Sequence, residues 1–301
     1  MFKTLTDTSK AAIFTALVLI LAVAAALAIN AFGLASNGFA WGAVWSITPV
    51  LATVIMLLMV TREGYSRKGW QSLGLHRLGL RMWPIAFFGT LAITVAATAA
   101  VWATPLASVT APAGGGIINS AVSLVIKVAL LATTFSLAEE IGIRGYLLPK
   151  LLPLGRKWAL LVSGLVWATW HMPLLFLTSL IPLGNKAISV PLFYVAVVAA
   201  SFFYGYLRIV SGSLWPASIA HAMHNQAWGL MVAFTATSSP VLVNSYLLGD
   251  SGILIAAGAA LGAVLVSRMK PRVRGKAGPD ANPPVLEPVT STTATAATWP
   301  V

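Results

Sequence analysis

Long apolar runs recur along most of this chain, and they restrict what it can fold into more than any other feature. Each run is about 20 residues long, the length that an α-helix needs to cross the hydrocarbon core of a bilayer. Hydrophobic residues make up 58% of the sequence and charged residues 9%, against about 25% charged residues in a typical soluble domain. We therefore expect an all-α polytopic membrane protein with about eight transmembrane helices. The expected spans are 11–32, 41–60, 83–102, 117–140, 158–180, 190–210, 214–234 and 252–266, and residues 242–248 could extend the last one.

The basic residues between these runs predict the orientation of the chain. With the N-terminus placed in the cytoplasm, the inner segments hold seventeen of the nineteen lysines and arginines, and the outer loops hold Lys186 alone. Because Lys and Arg accumulate in the cytoplasmic loops of membrane proteins, we expect an even number of spans in a cell-membrane protein with both termini in the cytoplasm. Topology and contact with anionic lipids then account for the net charge of +12. We expect no nucleic-acid partner.

The domain organisation is expected to be simple. Residues 1–270 should form one transmembrane helical domain, because no polar stretch among the apolar runs is long enough for a soluble domain. The tail 271–301 combines Pro, Thr, Ala and Gly without periodicity, which predicts a disordered cytoplasmic segment. The chain has no cysteine, so disulfides, thiolate metal sites and cysteine nucleophiles are excluded.

Glu139 and Glu140 are unusual because they lie at the edge of an apolar run. A charged side chain at the centre of a bilayer helix costs ~2.5–3.5 kcal/mol on insertion scales, so such a residue predicts a functional site. The other five acidic residues fall in segments that read as loops or tails: Asp7, Glu63, Asp250, Asp280 and Glu287.

Histidines in two other spans fall at a comparable depth. His171 lies in the fifth span, and His221 and His224 lie in the seventh. With Glu139, they fall between the bilayer midplane and the cytoplasmic face. Because lipid would penalise these groups unless they face one another, we expect three helices to contribute to one polar layer. Asn225 is four residues after His221, so the two share a helix face.

Spacing separates the roles of the two carboxylates. Glu140 and Arg144 are four residues apart and can form an ion pair, whereas Arg144 is five residues from Glu139 and points about 140° away from it. We therefore expect Arg144 to neutralise Glu140 and to leave Glu139 free for chemistry. A buried carboxylate can serve as a general base, and His and Asn side chains can donate hydrogen bonds to an oxyanion.

These residues leave three functions open. The polar layer could lock three helices together, form a transport or proton-relay site, or hydrolyse a peptide bond in or beside the membrane. Glu139, His171 and His221 are also a candidate zinc-ligand set, although no helix carries the H-E-x-x-H zinc motif.

The three motifs resemble those of the CPBP family, the CAAX-protease and bacteriocin-processing intramembrane proteases, also called the abortive-infection family. The sequence reads Glu139-Glu140-x-x-x-Arg144, then Trp167-x-x-x-His171, then His221-x-x-x-Asn225. Each motif alone is weak, but three in order on consistent helices are specific. The resemblance spans about 131–229 and implies a CAAX-protease-type bundle with a catalytic core at about 117–234.

The resemblance implies an intramembrane endopeptidase and carries the family's site residues over by position. Glu139 would activate water with help from His171, and His221 and Asn225 would stabilise the oxyanion. Glu140 and Arg144 would support the site, which is expected to face the cytoplasm. His224 lies outside the motif; it could join the face of His221 or lie behind it, as a packing histidine. Trp167 is expected to form part of the wall.

The resemblance leaves the cofactor and the substrate open. Metal participation has been viewed both ways in the family, so zinc at Glu139, His171 and His221 stays an open alternative. The expected partners are the lipid bilayer and a membrane protein or a lipidated or small peptide as substrate. A non-catalytic immunity or scaffold protein and a small transporter are the alternatives in other functional classes.

Overall fold

A computed structural model describes residues 5–111, 116–180 and 184–270. The expected disordered tail, 271–301, lies outside the described residues. The described residues form eleven α-helices: α1 (Asp7–Ala31), α2 (Gly38–Ile55), α3 (Arg67–Ser72), α4 (Thr90–Trp102), α5 (Ile117–Thr133), α6 (Phe135–Glu140), α7 (Leu148–Leu151), α8 (Arg156–Leu177), α9 (Lys186–Ser211), α10 (Trp215–Ala233) and α11 (Ile253–Ser267).

Shorter segments connect or extend these helices. A two-residue strand, β1 (Ser108–Val109), pairs antiparallel with β2 (Thr235–Ala236) and so ties the segment after α4 to the end of α10. The π-helical segments are Met56–Val60, Ile85–Gly89, Ile141–Leu147 and Val241–Leu247, and the 3₁₀ turns are Leu34–Ser36, Glu63–Tyr65, Leu80–Met82 and Leu152–Leu154.

The expected all-α multi-pass membrane fold is confirmed. In the described ranges, six helical segments are long and apolar enough to cross a membrane, and they correspond to the first six expected spans. They are Asp7–Ala31, Gly38–Val60, Leu80–Trp102, Ile117–Leu154, Arg156–Leu177 and Lys186–Ser211. Helix α11 is apolar but only 15 residues long, so the expected total of eight is not confirmed.

Helix α10 differs from the six long apolar segments because polar residues interrupt its apolar sequence. It has 19 residues, and each residue from 216 to 223 is buried. Its helical neighbours include α4, α5, α6 and α9. A helix enclosed by protein needs no continuous lipid-compatible surface, and this position allows α10 to carry His221, His224 and Asn225.

The fourth expected span does not end at Glu140, contrary to the sequence pattern. Helix α5 stops at Thr133, the backbone of Thr134 is non-helical (φ −126°, ψ −103°), and α6 begins at the next residue. The chain then continues through the π-helix Ile141–Leu147 into α7. Glu139 and Glu140 therefore lie within a longer interrupted helix and not at its end.

The last expected span is also not extended by 242–248. The π-helix Val241–Leu247 is separated from α11 by a turn, in which Gly252 N–H donates to Gly249 C=O at 2.7 Å. This turn carries Asp250.

Candidate active site

One cavity brings together the four residues expected to perform catalysis. Its volume is ≈ 280 Å³. Helix α6 contributes Glu139, α8 contributes His171, and α10 contributes His221 and Asn225. These residues are separated by up to 86 positions in the chain, so the bundle and not local sequence creates their proximity.

Glu139 faces this cavity while being held by neighbours on two helices. Its exposed fraction is 8%. Ser46 Oγ of α2 donates to Glu139 Oε1 at 3.4 Å, and Trp167 Nε1 of α8 donates to Oε2 at 3.3 Å. Both hydrogen bonds are long, and a carboxylate can accept about four. Glu139 is therefore oriented but retains the capacity to bind a water or a substrate proton.

Glu140 does not line the cavity and contacts two side chains, those of Arg144 and His221. Arg144 Nη1 donates to Glu140 Oε1 at 2.9 Å, and both side chains have an exposed fraction of 0%. The i,i+4 ion pair expected from the sequence is thus present. His221 Nδ1 also contacts Glu140 Oε1, at 3.0 Å. This second contact joins α6 to α10 and has no signature in the local sequence.

Arg144 packs beneath the aromatic wall of the cavity. Its guanidinium carbon lies 4.0 Å from the centroid of the Trp167 ring and 5.4 Å from that of Tyr204. Such cation–π contacts stabilise a desolvated guanidinium. Because Arg144 is fully buried and paired with Glu140, it does not present its charge to the cavity.

His171 is oriented by its own helix. Its Nδ1 lies 2.9 Å from Trp167 C=O, and since a carbonyl only accepts, Nδ1 carries the proton and Nε2 keeps its lone pair. The rings of Trp170 and Phe193 pack edge-on against the imidazole, with centroids at 4.6 and 5.3 Å. The aromatic neighbours fix the ring while Nε2 is left for chemistry.

His221 is similarly oriented by Glu140 through its Nδ1. Its Nε2 lies 4.0 Å from Glu139 Oε2, which is longer than a hydrogen bond. His221 Nε2 and the Glu139 carboxylate are therefore not hydrogen-bonded to each other, and both can contact a substrate. Asn225 follows one turn later on the same side of α10, and no described residue hydrogen-bonds its amide.

A second carboxylate–histidine pair lines the same cavity and was missed by the sequence analysis. His224 Nε2 lies 3.3 Å from Asp250 Oδ1, and both residues face the cavity. Of the two positions expected for His224, on the face of His221 or behind it, the structure shows the one that lines the cavity. Asp250 does belong to a turn, as expected, but the turn approaches α10. The one sequence signal for the role of Asp250 was its position directly before a short apolar helix.

Trp167 also does more than form a wall, because it donates to Glu139. Among the lining residues that no motif singled out are Trp41, Trp45, Phe193, Tyr204 and Trp228. The cavity is therefore largely aromatic around a small number of polar groups, which is the usual make-up of a ligand site.

The candidate zinc set does not fit the arrangement of the side chains. Across 5–111, 116–180 and 184–270, no group of three His, Cys, Asp or Glu side chains is placed to hold a metal ion. The 4.0 Å between His221 Nε2 and Glu139 Oε2 also exceeds the separation of about 3.4 Å between two ligands on a tetrahedral zinc ion. We derive no step through a metal.

Comparison with known proteins confirms the family resemblance. Residues 119–227, about a third of the chain, match the family model described as Type II CAAX prenyl endopeptidase Rce1-like. The matched segment contains all three motifs and contributes Glu139, His171, His221 and Asn225 to the cavity. None of the curated proteins compared with the chain matches it.

The all-α multi-pass membrane fold and this match are consistent with a protease of the CPBP family. The similarity to an Rce1-like domain is confined to residues 119–227. The match stops short of Asp250, so the second carboxylate–histidine pair includes a residue outside the matched segment.

Proposed function

We propose that this protein hydrolyses a peptide bond of a membrane-associated protein or peptide, with Glu139 as the general base. The observation that carries the proposal is the different placement of the two adjacent carboxylates. Glu139 lines the cavity with His171, His221 and Asn225, whereas Glu140 is fully buried against Arg144. A carboxylate that lies near histidines and is not paired with a lysine or an arginine suits general-base catalysis.

In the first step, a water bound to Glu139 attacks the scissile carbonyl carbon. Glu139 accepts one proton of that water, and His171 Nε2 accepts a hydrogen bond from the other. The Nδ1 contact to Trp167 C=O keeps His171 in the tautomer that this role requires. The water therefore arrives with its lone pair directed away from both acceptors and toward the substrate.

The carbonyl oxygen becomes an oxyanion as the carbon–oxygen bond forms. His221 Nε2–H and the Asn225 amide N–H would donate to it, because both groups line the same wall of the cavity. Donation from Nε2 requires the imidazolium form, and Glu140 at Nδ1 stabilises that positive charge. Removing one such donor typically lowers kcat about 10²–10³-fold. Glu139 then passes its proton to the amine leaving group.

A direct test uses purified protein in liposomes with fluorogenic test peptides. Glu139→Gln keeps the size of the side chain but removes the base, so we expect cleavage to fall by at least about 10²-fold. Glu63→Gln is the matched control, since Glu63 lies outside the cavity, and it should cleave at the parent rate. Equal rates for Glu139→Gln and the parent would disprove the mechanism.

The substrate class can be tested in the same assay. The Rce1-like match makes a prenylated peptide ending in a CAAX sequence one candidate, and an unmodified membrane-bound peptide is the other. Paired peptides that differ only in the prenyl group separate the two. A preference of tenfold or more for the prenylated partner, about 1.4 kcal/mol, would assign the protein to the first class.

We also propose that the site opens toward the cytoplasm, with both termini on that side. The asymmetry of the basic residues supports this orientation. Because the chain has no cysteine, single substitutions Ser66→Cys and Ser108→Cys report on one face each. In intact cells, an impermeant maleimide should label only the second variant; labelling of the first variant alone would reverse the proposed orientation.

A further inference from the structure

The cavity carries more negative charge than the proposed reaction requires. Two carboxylates line it, Glu139 and Asp250, and none of the lining residues in the described ranges is Lys or Arg. Arg144 lies nearby but is fully buried against Glu140. The cavity therefore offers a substrate carboxylate no lysine or arginine, and the charge assigned to His221 is already balanced by Glu140. It does offer an acidic group beyond the base.

Asp250 is placed to contact a substrate. Its side chain has an exposed fraction of 40%, and only Oδ1 contacts His224. Within the described part of the chain, no Lys or Arg forms an ion pair with it. The single imidazole contact orients the carboxylate and leaves Oδ2 available. A carboxylate at the edge of an aromatic cavity attracts a cation more strongly than one in open water.

Helix α10 connects Asp250 to the residues assigned to catalysis. His224, its partner, is three residues after His221, which is about 4.5 Å along the helix axis. An extended peptide advances about 3.3 Å per residue. The His224–Asp250 pair is therefore offset from His221 by about the length of one or two residues of an extended peptide. The indole of Trp228 lines the cavity there and suits the apolar stem of a long basic side chain.

We infer that Asp250 forms a specificity subsite for a Lys or Arg side chain within two residues of the bond that is cleaved. The inference rests on the proposed function and extends it to the choice of substrate. His224 is the positioning residue of this subsite, since it holds Asp250 by the contact from Nε2. Basic membrane-associated peptides are then favoured over neutral or acidic ones of the same length.

The test compares three peptides that differ at one position, two residues or fewer from the cleaved bond: Lys, norleucine and Glu. Norleucine keeps the apolar stem and removes the charge. The parent should cleave the Lys peptide with a kcat/KM about tenfold above that of norleucine. Asp250→Asn should lose that preference, so that its kcat/KM values for the Lys and norleucine peptides agree within about twofold.

Thermal unfolding in detergent shows whether Asp250→Asn is folded. Equal losses on all three peptides would mean that Asp250 acts only on the structure, and they would overturn the inference. Equal Lys and norleucine rates in the parent would overturn it as well.

A binding measurement separates this inference from the proposed function. Glu139→Gln should bind the fluorescent Lys peptide more tightly than the norleucine peptide, and adding Asp250→Asn should abolish the difference. If the parent cleaves no peptide, the proposed function fails while binding still decides the subsite. Equal binding of the two peptides to Glu139→Gln overturns the subsite whatever the cleavage result.

Discussion

Glu140 depends on two partners from different parts of the chain. The contact with Arg144 could be predicted, because residues four apart on a helix lie on the same side. The contact with His221 spans 81 positions, and no local pattern encodes it. Glu140 therefore supports the site in two ways, since it neutralises a buried guanidinium and orients the imidazole assigned to the oxyanion.

Replacing Glu140 should destabilise the protein much more than the same replacement at Glu139. Glu140→Gln leaves Arg144 buried and unpaired, and breaking a buried ion pair typically costs ~3–5 kcal/mol. Glu139→Gln removes a carboxylate that holds only two long hydrogen bonds. Thermal unfolding in detergent measures the difference. Equal losses of stability for the two variants would contradict the assignment of their roles.

The limits of sequence reasoning are clear at these residues. Three short motifs identified the residues that share the cavity, because each motif has fixed spacing on a helix. The sequence indicated no role for Asp250 and only a place in the wall for Trp167, because the contacts that these residues make form only in the folded bundle. A turn residue that packs on a distant helix looks in sequence like any other turn residue.

At the scale of the element, the irregular segment from Thr134 to Leu147 places the carboxylate pair. A break precedes α6 and a π-helix follows it, and π-helical turns are frequent at functional sites. Apolar periodicity predicted one continuous helix here, because it reports which residues are apolar and not how the backbone hydrogen bonds are closed. Gly142, in the π-helix, allows the close approach of α2.

Adding a methyl group at Gly142 should disturb this approach. A Cβ there would lie 2.4 Å from Pro49 Cβ, and overpacking of this kind typically costs ~1–3 kcal/mol. Gly229→Ala is the matched control, because a Cβ at that helical position meets nothing within 4 Å. We expect Gly142→Ala to lower the unfolding temperature and the cleavage rate, and Gly229→Ala to lower neither. If Gly142→Ala changed neither the unfolding temperature nor the cleavage rate, α2 would be free to move away from the π-helix.

At the scale of the whole molecule, a charge cluster joins three segments of the bundle. Glu63 Oε1 accepts from Lys10 Nζ at 2.7 Å and from Lys150 Nζ at 3.2 Å, and Lys150 also contacts Asp7 at 3.4 Å. The cluster ties the start of α1 to the turn after α2 and to α7. The sequence predicted that Lys10 and Lys150 lie on the same side of the membrane, but it did not predict that they share one carboxylate.

This cluster should make stability depend on pH. Burial alone would raise the pKa of Glu63, but the hydrogen bonds and positive charges of Lys10 and Lys150 outweigh burial and hold that pKa below its ordinary value of 4.5. Folding therefore gains from the ionised carboxylate above pH 4.5, and the gain is lost as pH falls through the lower folded-state pKa.

Unfolding temperatures of the parent and Glu63→Gln, measured from pH 7 to about pH 3, test this dependence. The parent should be more stable at neutral pH, and the two curves should converge in acid. A difference that stays constant across the range would show that the carboxylate contributes by shape and not by charge.

The enclosure of α10 has a consequence for how the protein is made. This helix carries two of the four residues assigned to catalysis, and their polarity makes it poorly suited to lie in lipid by itself. In the folded chain it packs against α4, α5, α6 and α9. We therefore expect α10 to enter the membrane only as these helices assemble around it, so that the proposed hydrolytic site is completed in the same step.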